Sequence, residues 1–394
     1  MKHQLLVNLK KPFLKYFPTP KPELIQGPGS LAQITSVLEA EHIYKPLIVT
    51  DKDLIRLGLV NQLSELLDSK HISYEIFAQI TPDPSITLVE QGLEVFKKNN
   101  CDGIILFGGG SAMDCGKAIA ACAATNKPVY KLEGLLKVLT KVPLMIAVPT
   151  TAGTGSEATV AAVISDKQTK RKFAIADPFI LPKYAILDAE LMLGLPPQIT
   201  AHTGIDALTH GIESYLSDYA SGFTRGMSTQ AIKTVFTSLV KAFEDGQDLQ
   251  ARSAMAVASY QAGLAFTRTY VGYVHAIAHQ LGALYGVPHG LANAVVLPKV
   301  LQFCVQAMTP RLAQLAEVIG VSGNSPEQKA LGFISAVEQL LQQLAIPTCI
   351  EQLQIKDITE IAQRANAEVH GTYPVPQLLT QAECEQLISQ LLPA

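Results

Sequence analysis

The stretch Gly103-Ile-Ile-Leu-Phe-Gly-Gly-Gly-Ser-Ala-Met-Asp-Cys-Gly-Lys117 carries the clearest information about the fold. Its apolar start predicts a buried strand, and the positions after Ser111 continue at helical spacing. The three glycines permit close approach of the backbone, and N–H groups at the start of a helix can bind a pyrophosphate. The glycine order is neither Gly-x-Gly-x-x-Gly nor that of a P-loop. Taken alone, the stretch indicates either a phosphate-binding turn or an ordinary tight strand–helix turn.

Short apolar runs alternate with amphipathic stretches through the first half of the chain. The runs lie at residues 46–50, 73–77 and 144–148, with a further β-rich excursion near residues 158–175. This alternation predicts a parallel sheet with helices on its faces. After Pro196-Pro197 the strand pattern almost ends, and long segments of helical period follow. The sequence therefore predicts an α/β domain over residues 1–195 and an all-helical domain over residues 196–394. Within the helical part, breaks are predicted at Gly222, Pro288, Pro310 and Pro347.

Composition excludes several classes of protein. Of the 394 residues, 48% are apolar and 16% are charged, which indicates a compact globular protein and not a disordered one. A formal net charge of −3 gives no basic footprint for nucleic acid. The six cysteines form no Cys-x-x-Cys pair, the N-terminal segment lacks the pattern of a secretion signal, and no apolar run reaches membrane-spanning length. We expect a soluble cytoplasmic protein with free thiols and no nucleic-acid or membrane partner.

One aspartate and four histidines between residues 206 and 289 have the spacing of a metal site. Asp206 and His210 are four residues apart, as are His275 and His279, so each pair lies on one face of a helix. His289 follows a Gly-Val-Pro turn. Three imidazoles and one carboxylate suit Fe²⁺ or Zn²⁺ with one position open for substrate. Any one of these histidines taken alone is better explained as a solvated or hydrogen-bonded core residue, but the set indicates a metal site.

Two further features point to a nucleotide, and each has a structural alternative. The segment Pro149-Thr-Thr-Ala-Gly-Thr-Gly-Ser-Glu157 could wrap a nucleotide with its hydroxyls, or form an ordinary turn. Asp51 follows the first clear strand. A carboxylate there can accept hydrogen bonds from an adenosine ribose and would repel a 2′-phosphate, which favours NAD over NADP. It can also cap a helix.

Together these segments resemble the iron-containing (group III) alcohol dehydrogenases over nearly the full chain. The most specific are Gly108–Ser111 with Asp114 and Lys117, residues 149–154, residues 204–215 and residues 274–298. The resemblance implies an α/β dinucleotide-binding domain, an all-α metal-binding domain of dehydroquinate synthase-like architecture, and a homodimer or larger homo-oligomer. It implies the metal ligands Asp206, His210, His275 and His289, with His279 as a catalytic residue near the reacting carbon. It implies nucleotide contacts from Asp51, Gly108, Gly109, Gly110, Ser111, Asp114, Thr150, Thr151, Thr154 and Lys172.

The reaction that this implies is reversible oxidation of an alcohol, or of a hydroxy acid, to an aldehyde or ketone, with hydride passed to NAD and less readily to NADP. A divalent metal would polarise the substrate oxygen, and His279 would either move a proton or orient its neighbours. Glycerol dehydrogenases and dehydroquinate synthases share the architecture, and a non-catalytic scaffold is a further alternative. The sequence departs from the family at residues 265–270, where Arg268 indicates a structural ion pair or, alternatively, a group that binds a substrate carboxylate. It also departs at Tyr373-Pro-Val-Pro376.

Overall fold

The computed structural model describes residues 20–169 and 171–393, which form two compact units. The first unit comprises residues 20–195 together with residues 247–260. The second comprises residues 196–246 and 261–393. From the sequence, nucleotide binding is assigned to residues 1–195 and metal binding to residues 196–394. This assignment stays a prediction.

The first unit is built on a six-stranded parallel sheet in the order β1-β9-β6-β4-β2-β3. The strands along the chain are β1 (Glu23–Gln26), β2 (Pro46–Val49), β3 (Glu75–Phe77), β4 (Gly103–Gly108), β5 (Gly134–Leu135), β6 (Leu144–Pro149), β7 (Ala161–Asp166), β8 (Arg171–Ala176) and β9 (Tyr184–Leu187). The β-rich excursion predicted near residues 158–175 forms the antiparallel pair β7–β8 of a separate three-stranded sheet, with β5 at its edge.

Five helices accompany the large sheet. They are α1 (Ile34–Ala40), α2 (Lys52–Arg56), α3 (Leu59–Ser69), α4 (Ile86–Lys98) and α5 (Gly110–Thr125). Every residue of β2 and β4 is buried, as expected for a parallel sheet covered on both faces. Ile105 packs with Ile34 of α1 and Leu63 of α3 on one face. Leu106 packs with Ile119 of α5 on the other. Because side chains of β4 point alternately to the two faces of the sheet, this strand contributes to both hydrophobic cores.

The strand order places two loops side by side at one edge of this sheet. β2 lies between β3 and β4, so the chain leaves β3 on one side of β2 and returns to β4 on the other. The loops after β2 and β4 are therefore neighbours at the carboxyl ends of the strands. Open α/β sheets bind ligands at such a switch point.

From Pro197 onward the structure is helical. The helices are α6 (Pro197–Leu216), α7 (Gly222–Glu244), α8 (Leu249–Thr269), α9 (Tyr273–Tyr285), α10 (His289–Phe303), α11 (Val305–Val318), α12 (Pro326–Gln343), α13 (Ile358–Val369) and α14 (Gln381–Ser389). Together with the parallel sheet, they confirm the predicted fold class. Helix α6 packs on α7 and α10, and α9 packs on α10 and α13.

Three of the four predicted helix breaks agree with the structure, and one is wrong. Gly222 begins α7, Pro288 precedes α10, and Pro347 follows the end of α12. Pro310 instead lies inside α11. The break in this region is at Cys304, where α10 and α11 meet at 110°. Helix α11 continues through Pro310 although this residue has no backbone N–H to donate, and α10 continues through Pro298 in the same way.

Gly290, in the first turn of α10, allows this helix to approach α6 closely. A Cβ at this position would lie 2.3 Å from the backbone oxygen of His202 on α6. We expect Gly290→Ala to force the two helices apart and to lower the free energy of unfolding by about 1–3 kcal/mol. Urea denaturation followed by circular dichroism measures this change. The matched control is Gly226→Ala inside α7, where a Cβ meets nothing within 4 Å.

Alanine at that control position should stabilise the protein by about 0.5–1 kcal/mol, because glycine loses more backbone entropy on folding. Equal effects of the two substitutions would contradict the assigned role of the close approach.

Among the described residues, no single helix is long and apolar enough to cross a bilayer. Helices α10 and α11 reach that length and hydropathy only when counted together, across their 110° bend. The predicted lack of a secretion signal concerns the N-terminal segment, which lies outside the described residues.

Candidate metal centre and nucleotide-binding turn

Helices α6, α9 and α10 bring together the residues predicted to bind a metal. Asp206 and His210 lie one turn apart on α6, His275 lies in the first turn of α9, and His289 is the first residue of α10. Asp206, His210 and His275 are buried. Each of these three offers a ligand atom, and the three atoms lie within 4.8 Å of one another. The chemistry and spacing of these buried groups suit a cation.

The separations between the ligand atoms of Asp206, His210 and His275 agree with binding of one ion, and His289 lies next to Asp206. His275 Nε2 lies 3.0 Å from His210 Nε2 and 3.7 Å from Asp206 Oδ1. His289 Nε2 lies 3.5 Å from the same oxygen. Two ligands at about 2.0–2.1 Å from a tetrahedral ion are about 3.3 Å apart, in the middle of the observed range. The donor set of imidazole nitrogens and one carboxylate oxygen therefore fits Fe²⁺ or Zn²⁺.

Glu213 holds His275 in the orientation that a metal ligand needs. Its Oε2 lies 2.6 Å from His275 Nδ1 and accepts a hydrogen bond from the Gly272 amide at 2.8 Å. Its Oε1 accepts one from the Val274 amide at 2.8 Å. With Nδ1 paired to a carboxylate, the lone pair of a neutral imidazole lies on Nε2, which faces the cluster.

The charges of the cluster favour a cation at its centre. Burial by itself would lower the pKa of His275, but the carboxylates of Glu213 and Asp206 outweigh it and raise that pKa to about 9. Burial of Asp206 opposes ionisation of its carboxyl group, yet His210, His289 and His275 hold its pKa well below the usual range. Two carboxylates thus stabilise positive charge among the imidazoles.

Two further side chains support the cluster. Asn293, fully buried on α10, donates from Nδ2 to Asp206 Oδ1 at 2.7 Å and lies 3.2 Å from His289 Nε2. The ring of Phe266 stacks on His210 at a centroid distance of 4.1 Å. Sequence reasoning assigned no role to Glu213 or Asn293. Their positions three residues after His210 and four after His289 are the signal that could have identified them.

His279 borders the cluster and is held by its own partners. Its ring stacks on that of His289 at 5.4 Å, and its Nδ1 lies 2.7 Å from Glu368 Oε1 on α13. Glu368 also accepts hydrogen bonds from the Tyr373 hydroxyl at 2.7 Å and from Gln280 Nε2 at 3.0 Å. Tyr373 belongs to the C-terminal segment that departs from the family pattern. The catalytic role predicted for His279 stays a prediction.

The glycine-rich stretch forms the predicted strand–turn–helix between β4 and α5. The Gly108 carbonyl accepts a hydrogen bond from the Thr150 amide at 3.1 Å. A Cβ at Gly110 would lie 2.7 Å from Thr154 Cγ2, so only glycine lets this loop approach the helix start. The turn and the loop after β6 therefore border one space at the carboxyl edge of the sheet. This arrangement includes the predicted contacts Gly108, Gly109, Gly110, Ser111, Thr150, Thr151 and Thr154.

Asp51, Asp114 and Lys172 have structural partners of their own. Asp51 Oδ1 caps α2 by accepting from the Leu54 amide at 2.9 Å, so the capping alternative is present. Asp114 accepts from Ser156 Oγ at 2.8 Å and from the Val163 amide at 3.0 Å. Lys172 Nζ lies 2.6 Å from Asp83 Oδ1. The predicted nucleotide contacts of these three residues stay predictions.

Arg268 packs within the second unit. Its guanidinium carbon lies 4.8 Å over the ring of Phe223, and its Nη1 donates to the Leu264 carbonyl. These contacts occupy the guanidinium with an aromatic face and a backbone oxygen. They give no support to the predicted binding of a substrate carboxylate.

Comparisons with known proteins agree with this geometry. Residues 20–189 match the family described as iron-containing alcohol dehydrogenase, and residues 200–392 match the C-terminal domain of the Fe-containing alcohol dehydrogenase family. The chain is 38% identical over 375 residues to an NAD-dependent methanol dehydrogenase of Bacillus methanolicus, which covers 94% of this chain and 98% of the relative. It is 40% identical over 335 residues to a 1,3-propanediol dehydrogenase of Klebsiella pneumoniae, covering 84% of this chain and 87% of the relative.

A solved structure of a 1,3-propanediol oxidoreductase superposes with a TM-score of 0.92 at 36% identity, over 95% of this chain and 99% of that chain. Similarity of this extent includes both the glycine-rich turn and the histidine cluster.

Proposed function

The chain belongs to the iron-containing alcohol dehydrogenase family, and from this premise we propose that it transfers hydride reversibly between a small primary alcohol or diol and NAD. The observation that carries the proposal is the arrangement of Asp206, His210 and His275, whose ligand atoms lie within 4.8 Å of one another, with His289 Nε2 3.5 Å from Asp206 Oδ1. These four residues would hold the metal. The similarity to the methanol and 1,3-propanediol dehydrogenases supports a small alcohol as substrate.

A divalent metal, when bound, supplies a Lewis acid that polarises the substrate oxygen. The side chains of the protein perform the remaining tasks. Glu213 fixes the tautomer of His275, and the ring of Phe266 covers one face of His210. His279, with Nδ1 held by Glu368, has its Nε2 left to exchange a proton with the substrate oxygen or with water.

NAD is the coenzyme that we propose, bound at the turn between β4 and α5. The amide groups at the start of α5 can bind the pyrophosphate, since a helix of 16 residues has a positive N-terminal end. Asp51 Oδ2 lies beside this turn, 3.9 Å from where a Cβ of Gly108 would be. A carboxylate there accepts hydrogen bonds from a ribose and repels a 2′-phosphate, which disfavours NADP.

The proposal includes a metal that is iron or zinc, a homodimer or larger homo-oligomer, and a cytoplasmic location. All six cysteines are free, and five of them are buried, as is usual for proteins of reducing compartments. Sedimentation velocity measures the oligomeric state.

The family match over residues 20–189 and 200–392 favours an alcohol dehydrogenase over the related glycerol dehydrogenase, dehydroquinate synthase and scaffold alternatives.

The deciding experiment is an anaerobic assay of coenzyme reduction. Protein stripped of metal with a chelator receives Fe²⁺, Zn²⁺ or no metal, and is offered methanol, ethanol, butanol, 1,3-propanediol, glycerol and lactate with NAD or NADP. We expect NADH to form with short alcohols or the diol only when metal is restored. If protein that binds both metal and NADH reduces NAD with none of them, the proposal is wrong.

Glu368→Gln tests whether this carboxylate aligns His279. The hydrogen bond to His279 is charge-assisted, and a bond of that kind contributes about 1.5–3 kcal/mol. We expect kcat to fall about tenfold or more, since each 1.4 kcal/mol changes a rate tenfold, while KM for NAD stays unchanged. Steady-state kinetics of the metal-loaded enzyme measures the two constants separately. The matched control is Glu360→Gln, an exposed ion-paired residue on the same helix. Equal kcat and KM values for the two variants would show that Glu368 does not align His279 for the reaction.

A further inference from the structure

The two segments in which the sequence departs from the family pattern lie against each other in the structure. Tyr270 belongs to the first departure, residues 265–270, and Tyr373 to the second, residues 373–376. The centroids of these two rings are 6.2 Å apart, and the ring of Tyr219 lies at the same distance from that of Tyr270. Aromatic pairs at this distance attract each other. The two departures therefore form one packed group.

The backbone of Tyr270 adopts a conformation that a tyrosine rarely has. Its φ of 59° lies in the left-handed region, where a bulky side chain is strained. Neighbouring hydroxyl groups hold this backbone: Thr269 Oγ1 donates to the Tyr270 carbonyl at 3.2 Å, and Ser217 Oγ donates to the Thr269 carbonyl at 2.9 Å. Strain of this kind persists where the surrounding structure imposes it, and it is common at functional sites. The strained residue here is the one whose ring packs against Tyr373.

The Tyr373 hydroxyl binds the same carboxylate oxygen that contacts His279. It donates to Glu368 Oε1 at 2.7 Å, and His279 Nδ1 lies 2.7 Å from that oxygen. Gln280 Nε2 donates to the other oxygen at 3.0 Å. Burial and the charge of Glu368 raise the pKa of Tyr373 well above its ordinary value, so the hydroxyl keeps its proton and donates it.

The chain around Tyr373 fixes the position of this hydroxyl. The Tyr373 amide donates to the Val369 carbonyl, at the end of α13, at 3.0 Å. The Pro374 carbonyl accepts from the Asp218 amide at 2.8 Å, and Pro374 and Val375 are buried. The hydroxyl therefore reaches Glu368 from a segment that is anchored on both sides of Tyr373.

We propose that Tyr373 is a positioning residue for His279, and that Tyr270 holds the ring of Tyr373 in place. Hydrogen bonds from Tyr373 and Gln280 fix both oxygens of Glu368, and the fixed carboxylate then sets the orientation of the His279 ring. The inference deepens the proposed function and rests on it, because it takes His279 as a residue of the reaction. Tyr373 acts through Glu368 and not on the substrate.

The test is Tyr373→Phe, which keeps the ring and removes the hydroxyl. Hydrogen bonds to charged groups are strong, but Gln280 still binds Glu368, so we expect kcat for alcohol oxidation to fall about fivefold. KM for NAD, the Kd for NADH and the metal content should not change. The matched control is Tyr184→Phe in the first unit, whose hydroxyl donates to Glu41 Oε1 at 2.7 Å. It should change none of these values.

Coupling between variants separates positioning from stabilisation. If Tyr373 acts through Glu368, Tyr373→Phe should lower kcat much less in the Glu368→Gln variant than in the unaltered enzyme. Equal losses in the two backgrounds would overturn the inference. So would an unchanged kcat in Tyr373→Phe together with a lower unfolding temperature, because that result describes a purely stabilising role.

A second readout does not depend on activity. In the zinc-loaded protein, the Nδ1 proton of His279 should give a downfield proton NMR resonance that is absent from His279→Gln. A carboxylate that turns freely leaves Nδ1 unbonded part of the time, so this proton should exchange faster with water in Tyr373→Phe and not in Tyr184→Phe. An unchanged exchange rate in Tyr373→Phe would contradict the inference.

The Tyr270→Gly variant tests the second half of the proposal, and it decides by the same measurements if Tyr373→Phe does not fold. Glycine adopts a positive φ without strain, so this variant removes the ring and keeps the backbone. We expect a lower kcat and faster exchange of the His279 proton, and no change in either would overturn the role of Tyr270. If the unaltered protein oxidises no alcohol but its His279 proton responds to Tyr373→Phe, the proposed function fails while the positioning of His279 stands.

Discussion

The His275→Ala variant is expected to lose its metal and to lower kcat/KM for alcohol oxidation by about three powers of ten. The imidazole lies at the centre of the cluster, with Nε2 at 3.0 Å from His210 and 3.7 Å from Asp206. A Lewis acid contributes several kcal/mol to stabilising a transition state, and each 1.4 kcal/mol is a tenfold change in rate. Metal content by atomic emission and kinetics at saturating NAD measure the two losses together.

The matched control for this variant is His71→Asn. His71 is an exposed histidine of the first unit with φ of 55°, a backbone conformation that asparagine tolerates. It should retain metal and full activity. His275→Ala should still bind NADH with its usual Kd. Full activity of His275→Ala without metal would show that the reaction does not use the cluster.

The Glu213→Gln variant is expected to bind the metal about 10–100-fold more weakly, the usual cost of removing a partner that orients a metal-binding histidine. An amide retains one oxygen, but its NH₂ group must then face His275 Nδ1 or a backbone N–H that now donates to Glu213. Competition with a chromogenic chelator measures the affinity.

At saturating metal, Glu213→Gln should recover much of its activity, whereas His275→Ala should not. This difference separates a residue that orients a ligand from the ligand itself. Glu244→Gln, an exposed glutamate at the end of α7, serves as the control. An unchanged metal affinity in Glu213→Gln would contradict the assigned role.

The sequence was sufficient for those features of the fold that depend on local pattern. Continuous apolar runs predicted the buried strands β2, β4 and β6, because a strand covered on both faces has no polar side. Proline positions were a weaker guide. Pro288 ends a turn before α10, but Pro310 lies inside α11, since the break depends on how α10 and α11 pack and not on the residue alone.

For the site, helical spacing identified ligand pairs but not their partners. Asp206 and His210 share one helix, so the interval of four residues was informative. Glu213 and Glu368 are acidic residues on helices, a type that usually faces solvent. Their contacts with His275 and His279 arise only where α6 meets α9 and where α13 meets α9. The interval of three residues places Glu213 on the face of α6 that carries His210, but which histidine of α9 it contacts depends on how the two helices pack.

The hydrogen bond between Asp51 and the start of α2 links the proposed coenzyme preference to the stability of that helix. With Asp51 at the ribose, as we propose, acceptance of NADP requires removal of the negative charge at position 51, whereas α2 requires an oxygen acceptor there for the Leu54 amide. Asparagine and serine meet both demands. Alanine would remove the charge and also the oxygen acceptor, which would destabilise the start of α2 by about 1 kcal/mol. We therefore expect that only a side chain that is uncharged and still offers an oxygen acceptor at position 51 can admit the phosphorylated coenzyme and keep the start of α2 intact.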